Sequence, residues 1–290
     1  MAHTTLNPSV DRAEFWNFDF EDMGTKDVPA EIDFILSKTG QSKVGYVGHS
    51  EGTTQFFIGS SMLPEYFAEK VNVFIALAPV ARLTNTMSSF FRLLAFDVSF
   101  VEHVLVDDFG IYGPFTLSWV EQWAVAQFCE SYSTACGAFI ELIADLDPSR
   151  DNFARAKSFL THMPSGAGYR NLVHYGQLIN GVDFLRYDWG TELNMQKYGQ
   201  ATPPKYPLEA IKVPTALFGG GEDELAAPAD VDWLNGRLGS TVVFYKQYPQ
   251  LGHLTFAIGK DMTFFQVDAM KLLKQYATNT AQDGFLSYVE

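Results

Sequence analysis

The stretch Lys43-Val44-Gly45-Tyr46-Val47-Gly48-His49-Ser50-Glu51-Gly52-Thr53-Thr54 limits what this chain can fold into more than any other. Val44, Tyr46 and Val47 suit a short buried strand, and the residues after Gly52 open a helical pattern. With 23 glycines in 290 residues, Gly-x-Ser-x-Gly arises by chance in roughly one such chain in eight, so the pentapeptide alone says little. Its flanks say more. A sharp strand-to-helix turn would use Gly48 and Gly52 to avoid collisions where the two elements meet. It would strain the backbone of Ser50 and leave its hydroxyl in the open, the geometry of a nucleophile elbow. The bland reading is a Gly-Ser turn with no chemistry.

The neighbouring pattern gives the turn a setting. Residues 1–14 form a lead-in expected to be poorly ordered. Glu14-Phe15-Trp16-Asn17-Phe18-Asp19-Phe20 alternates apolar and polar, as a strand or extended segment would. A helix follows with Pro29 in its first turn, an apolar stripe at Ile32, Ile35 and Leu36, and Gly40 at its end. After the elbow, a helix over 53–62 breaks before Pro64, and Val71-Asn72-Val73-Phe74-Ile75-Ala76-Leu77 has the near-continuous apolar run of a buried parallel strand. Helix, strand, helix, strand is the alternation of an open α/β sheet. That pattern fades from about Arg82 to Lys205, where aromatic residues at helical spacing take over: Phe90, Phe91, Leu94, Phe109, Tyr112, Phe115, Trp119, Trp123, Phe139, Ile143, Phe159, Tyr175, Phe184, Tyr187 and Trp189. An ordinary helical core accounts for most of them; a helical cap over an apolar substrate accounts for an insertion between two parts of one sheet. The α/β pattern returns with a strand at 211–218, then Gly219-Gly220-Gly221-Glu222-Asp223, a helix over 228–238, a strand at 241–246, the loop Tyr248-Pro249-Gln250-Leu251-Gly252-His253-Leu254 and a last helix over 262–276.

Composition narrows the function classes. The chain is 47% hydrophobic and 19% charged, which is globular rather than disordered. A net charge of −14 disfavours nucleic acid and anionic membrane surfaces as electrostatic partners. It is compatible with mildly acidic surroundings, where carboxylates become partly protonated. The six histidines are scattered, with no metal-ligand spacing among them, and no metal or other cofactor is expected. Cys129 and Cys136 fit either a small disulfide loop or two buried free thiols. No stretch is apolar and long enough to span a membrane. The first twelve residues lack a signal-peptide core, and the one Asn-x-Ser sequence is blocked by Pro8.

A serine hydroxyl attacks a carbonyl only when a base takes its proton, and that base is held in one tautomer by an acid. Here Ser50, Asp223 and His253 each follow a strand, in the order nucleophile, acid, base. Taken singly, Asp223 is a turn acid after glycines and His253 a loop histidine; Glu222 and Glu224 are rival acids. The three together, in that order and at those places, point to nucleophilic catalysis.

At these residues the chain resembles the acid lipase family, the gastric and lysosomal acid lipase group of the α/β-hydrolases. The matching pieces are Phe15-Trp16-Asn17-Phe18-Asp19-Phe20-Glu21-Asp22-Met23, Asp27-Val28-Pro29-Ala30-Glu31-Ile32-Asp33-Phe34-Ile35, Tyr46-Val47-Gly48-His49-Ser50, Ala76-Leu77-Ala78-Pro79-Val80-Ala81, Tyr187-Asp188-Trp189-Gly190 and Gly219-Gly220-Gly221-Glu222-Asp223. They cover the chain from about Glu14 to Tyr276. The resemblance implies an α/β-hydrolase core over 15–81 and 206–290 with a helical cap or lid over 82–205. It implies a serine hydrolase that cleaves carboxylic esters of lipids, triacylglycerols or sterol esters, at a lipid–water interface. It places the nucleophile on Ser50, the acid on Asp223, the base on His253 and one oxyanion donor on the backbone N–H of Glu51. It pairs Cys129 with Cys136, at a shorter spacing than usual, and suggests a secreted or lysosomal protein. No protein partner is indicated.

Three departures carry expectations of their own. The family usually has Gln after the serine; Glu51 stands here, and a carboxylate beside the site is expected to raise the pKa of His253. Secretion has no leader to support it in this sequence. The family begins with several strands and a His-Gly loop that supplies a second oxyanion N–H, and none of that lies before Glu14. An incomplete sheet with the elbow strand at its edge and a feeble, aggregation-prone esterase are the expected consequences. Two other readings stand beside the lipase: a non-catalytic remnant that binds lipid or a partner, and a hydrolase of small esters.

Overall fold

Residues Val71–Leu77 point their side chains alternately to two sides, and both sides are buried. Phe74 and Ala76 join one apolar cluster, with Phe56, Phe57, Phe67 and Leu217; Val73, Ile75 and Leu77 join another, with Phe218, Phe256, Phe264 and Leu272. A strand buried on both faces needs helices above and below it, which is the parallel α/β arrangement. The computed structural model describes residues 5–8, 10–162 and 165–277; residues 1–4 and 9 of the expected lead-in and 278–290 of the expected core lie outside them.

Among the described residues four parallel strands make the sheet: β1 (Val44–His49), β2 (Val71–Leu77), β3 (Thr215–Gly220) and β4 (Val242–Tyr248), in that spatial order. The ladder continues past two strand ends, from Ser50 N–H to Leu77 O (3.1 Å) and from Ala78 N–H to Phe218 O (3.0 Å). Every strand therefore delivers its next loop to the same, C-terminal, edge, where open α/β sheets carry their sites. Among the described residues β1 and β4 are the outer strands, and Val47 of β1 is exposed.

Several sequence expectations need correction. The alternation at 14–20 is not a strand: Arg12–Phe15 is a helical turn and Phe20–Asp22 another. Of its polar residues Asp19 is buried, while Glu14 and Asn17 are exposed. Asp19 caps the second turn, accepting from the N–H groups of Glu21 and Asp22, and lies 3.5 Å from the Arg170 guanidinium; Asn17 also binds Arg170. Pro29 sits in the first turn of the helix Val28–Thr39, as expected, but that helix is not a fresh start. Helical backbone runs from Phe20, through a widened turn at Met23–Asp27, into the helix Val28–Thr39. A wide turn just ahead of Pro29 is where its missing N–H and its ring are accommodated. Within that helix Ile32 is buried and Leu36 packs on the core, but Ile35 is exposed. The third strand starts four residues later than expected, because Pro214 has no N–H to give; only its carbonyl joins the sheet, to Phe74 N–H at 2.9 Å.

Between β2 and β3 the described residues form helices and loops joined by isolated bridges. This helical segment touches the C-terminal edge of the sheet at several places. Met87 and Ser88 donate to Glu224 O, Leu146 donates to Glu222 O, and Ala144 O accepts from Glu224 N–H. Cys129 and Cys136 are joined by a disulfide, Cα to Cα 5.4 Å, between the helices Trp119–Ser131 and Ser133–Ile143. For Phe139, in the latter helix, only the backbone lies within the described structure. The first of these helices is opened by a reciprocal cap between Ser118 and Glu121.

Candidate active site

Ser50 sits between β1 and the helix Glu51–Met62, with φ 54° and ψ −120°. A residue with a side chain adopts that backbone only where its surroundings impose it. Gly48 is part of the imposition: a Cβ there would lie 2.9 Å from Gly52 O. Gly52 is not. A Cβ on it would meet nothing within 4 Å, so the collision expected at Gly52 is absent. The turn is tight on its strand side only.

β3 ends in the loop that holds Asp223, and β4 in the loop that holds His253. Across these two loops His253 Nδ1 is 2.9 Å from Asp223 Oδ2 and 3.1 Å from Oδ1, and His253 Nε2 is 2.6 Å from Ser50 Oγ. Asp223 Oδ1 also accepts from the N–H groups of Leu225 (2.9 Å) and Ala226 (2.7 Å), so its carboxylate is fixed before it meets the imidazole. Asp223 and His253 are both buried. The rival acids lie in the same loop, but it is Asp223 that meets His253; the backbones of Glu222 and Glu224 bond the helical segment.

Glu51 is the first residue of its helix, and its N–H has no intrahelical acceptor. That N–H and the positive end of the helix lie beside Ser50. The Glu51 side chain turns the other way, into a polar nest: Gln55 Nε2 is 3.2 Å away, Asn171 Nδ2 3.4 Å and Tyr175 OH 3.4 Å. Burial raises its pKa, partly offset by Gln55 and Tyr175.

Burial alone would push the His253 pKa down. The carboxylates of Asp223 and then Asp145 outweigh it, and the pKa stands above the ordinary value of 6.5. The raised pKa was expected, but from Glu51; its sources are Asp223 first and Asp145 after it, while the Glu51 carboxyl faces Gln55 and Tyr175 rather than the imidazole. His49, half-buried next to Ser50, is pushed down to about 4 by desolvation and by His253.

Sequence reasoning brought Ser50, Asp223, His253 and Glu51 to one place. It missed Asp145, Asn171 and Tyr175, which come from the helical segment and carry no motif. His49 was visible inside the pentapeptide, but nothing in the pattern says which way its ring points. Among the described residues no three His, Cys, Asp or Glu side chains gather as a metal site, and no helix is long and apolar enough to cross a membrane.

Comparison with known proteins agrees with this fold. Residues 7–260 match the model of the alpha/beta hydrolase fold. Human lipase member K is 34% identical over 282 residues, covering 96% of this chain and 68% of the relative. Bovine gastric triacylglycerol lipase is 39% identical over 263 residues, 90% of this chain and 65% of the relative. Human lysosomal acid lipase/cholesteryl ester hydrolase is 36% identical over 265 residues, 89% and 64%. The chain belongs to the acid lipase family of α/β-hydrolases. It spans about two-thirds of the length of these lipases. In this acid lipase relative the elbow, the acid loop and the histidine loop all fall inside the shared region.

Proposed function

We propose that this chain is a serine hydrolase that cleaves carboxylic esters of lipids through an acyl-enzyme. The observation that carries the reading is the unbroken hydrogen-bonded line from Ser50 Oγ through His253 to Asp223. In the first half-reaction Ser50 Oγ attacks the ester carbonyl carbon and its proton passes to His253 Nε2. Asp223 keeps the other ring nitrogen protonated and stabilises the imidazolium. Negative charge on the former carbonyl oxygen is met by the N–H of Glu51. His253 then protonates the departing alcohol. In the second half-reaction water replaces the alcohol, and the carboxylic acid leaves. No cofactor takes part.

A lipid substrate is supported by the names of the relatives, which act on triacylglycerols and cholesteryl esters, and by residues 82–205, which we read as a cap. The cap exposes Phe96, Phe100, Phe109, Trp119, Trp123 and Phe128, an apolar display suited to a lipid–water interface. The disulfide fits an oxidising compartment, secreted or lysosomal.

The test is release of fatty acid from emulsified triolein and cholesteryl oleate, beside a soluble acetate ester, by the chain and by Ser50→Ala. Serine-dependent release from at least one emulsion is expected. Turnover of the acetate ester alone would favour a small-ester hydrolase. No turnover of any ester, or turnover that survives Ser50→Ala, would contradict the assignment.

A further inference from the structure

The peptide unit that follows His253 is held at both ends by side chains outside the Ser50–His253–Asp223 line. Its carbonyl, that of His253, is 2.8 Å from His49 Nε2. Its N–H, that of Leu254, donates to Asp145, 3.0 Å from Oδ1 and 3.2 Å from Oδ2. A backbone carbonyl only accepts, so His49 carries its proton on Nε2. One clamp comes from the residue before Ser50. The other comes from the helical segment, 109 residues away in sequence from Leu254.

Asp145 is built into this place. It is fully buried. The backbone on either side of it bonds the acid loop, Ala144 O to Glu224 N–H at 2.9 Å and Leu146 N–H to Glu222 O at 3.0 Å, which sets Asp145 against Asp223 in an antiparallel bridge. It also depends on Gly252. A Cβ at that position would lie 2.5 Å from Asp145 Cγ. One carboxylate thus fits against the acid loop and the base loop at once.

We propose that Asp145 is a positioning residue for His253, through which the docked helical segment fixes the orientation of the imidazole and sets the electrostatic field around it. The inference rests on the reading of His253 as the base.

A second carboxyl modulates the first. Asp151, also fully buried, interacts with Asp145, and neither of its oxygens makes a hydrogen bond of regular geometry. Burial first, and then Asp151, raise the Asp145 carboxyl to about 7. The charged groups acting on Asp145 are Asp151, His253 and Asp223; Lys260 and Asp147 act on Asp151. Ionised Asp145 favours the imidazolium of His253. Removing its charge should therefore lower the His253 pKa. Removing Asp151 should let Asp145 ionise at lower pH, and so raise the His253 pKa. The two substitutions have opposite signs.

The experiment is a ¹⁵N NMR titration of the imidazoles in the full chain, with the His253 signals assigned by their loss in His253→Gln. Asp145→Asn keeps an oxygen that can accept from Leu254 N–H, so the loop stays held while the charge is gone. The His253 pKa should fall by about one unit in Asp145→Asn and rise in Asp151→Asn. An unchanged pKa in Asp145→Asn, or shifts of the same sign in both variants, would overturn the proposal. This measurement needs no turnover. A kinetic arm adds that Asp145→Ala should lower kcat on a soluble ester about 10–100-fold with KM within about twofold. Asp145→Asn should restore most of that kcat while keeping the lowered His253 pKa. Wild-type kcat in Asp145→Ala would likewise count against the proposal. Turnover that survives His253→Ala would instead remove the reading of His253 as base, a result separate from either arm.

Discussion

The sheet with its flanking helices and the helical segment between β2 and β3 both carry many large apolar side chains, but the exposed rings are concentrated in the helical segment, although its Tyr175, Leu178 and Phe184 join the core. Around the sheet, Phe56, Phe74 and Phe218 are fully buried, each in contact with other aromatic rings. In the helical segment Phe96 is 90% exposed and Trp119 78%. Burial of apolar surface is worth about 25 cal/mol per Å², so the first region draws its stability from its aromatics and the second forgoes much of it. The difference teaches that one region is a frame that holds three loops in register. The other leaves part of its apolar surface open, as the proposed cap would, while Asp145, Asn171 and Tyr175 tie it to the frame.

The frame should fail in chemistry before it fails in stability. Ser50→Ala and His253→Ala are each expected to lower ester turnover by on the order of 10⁴–10⁶, with a double variant little worse, because the residues act as a unit. Thermal melts should be nearly unchanged. Comparable losses in melting temperature would mean that these residues are structural. The helical segment should fail in the reverse order. Replacing Cys129 and Cys136 by serine opens a short loop between two helices and is expected to cost roughly 2–3 kcal/mol, read from denaturant melts, with turnover of a soluble ester little changed. Next in size, combining Phe96→Ser, Trp119→Ser and Trp123→Ser should lower the rate on an emulsified ester about tenfold and leave a soluble ester within about twofold. Equal losses on both substrates would erase the distinction between frame and interface.

The smallest effect tests the seam between the regions. Asp145 is raised from 3.8 to about 7, Glu51 is raised above 4.5 and His253 above 6.5. A group whose folded pKa is raised contributes stability that is fully present below its unfolded pKa and is lost as pH rises through the folded one. All three act in the same direction, while His49 and His174, pushed down to about 4, lose stability as pH falls, so the Asp145 contribution is read as a difference. On lowering pH from about 7 toward 4, the melting temperature of Asp145→Asn should lose a few degrees relative to the unsubstituted chain. Parallel melting temperatures of the two proteins over that range would contradict a raised Asp145 pKa.

The frame was also the more legible part. β2 and the helix Pro228–Leu238 lie where their patterns put them, since a buried parallel strand and a proline-started helix announce themselves locally. The meeting of Ser50, Asp223 and His253 was legible because each follows a strand, in a fixed order. What failed were patterns whose polar residues have distant partners. Asn17 and Asp19 alternate with aromatics as strand residues would, yet they alternate because they bind Arg170 and cap a helix. Glu51 looked like a charge aimed at the base, and the nest of Gln55, Asn171 and Tyr175 that takes it away is set by long-range packing. Asp145 had no signal at all. An aspartate in Ile143-Ala144-Asp145-Leu146 becomes a clamp only after the helical segment meets two loops that are remote in sequence.

The central claim is that Ser50 is a nucleophile activated by His253. Reaction of the chain with a fluorophosphonate probe, followed by peptide mapping, tests it most directly, because labelling needs an activated serine and no particular ester. The account predicts one adduct per chain, on Ser50, lost on unfolding and in Ser50→Ala, and strongly slowed in His253→Ala. Labelling on a different serine, or none on Ser50 in the folded chain, would contradict it.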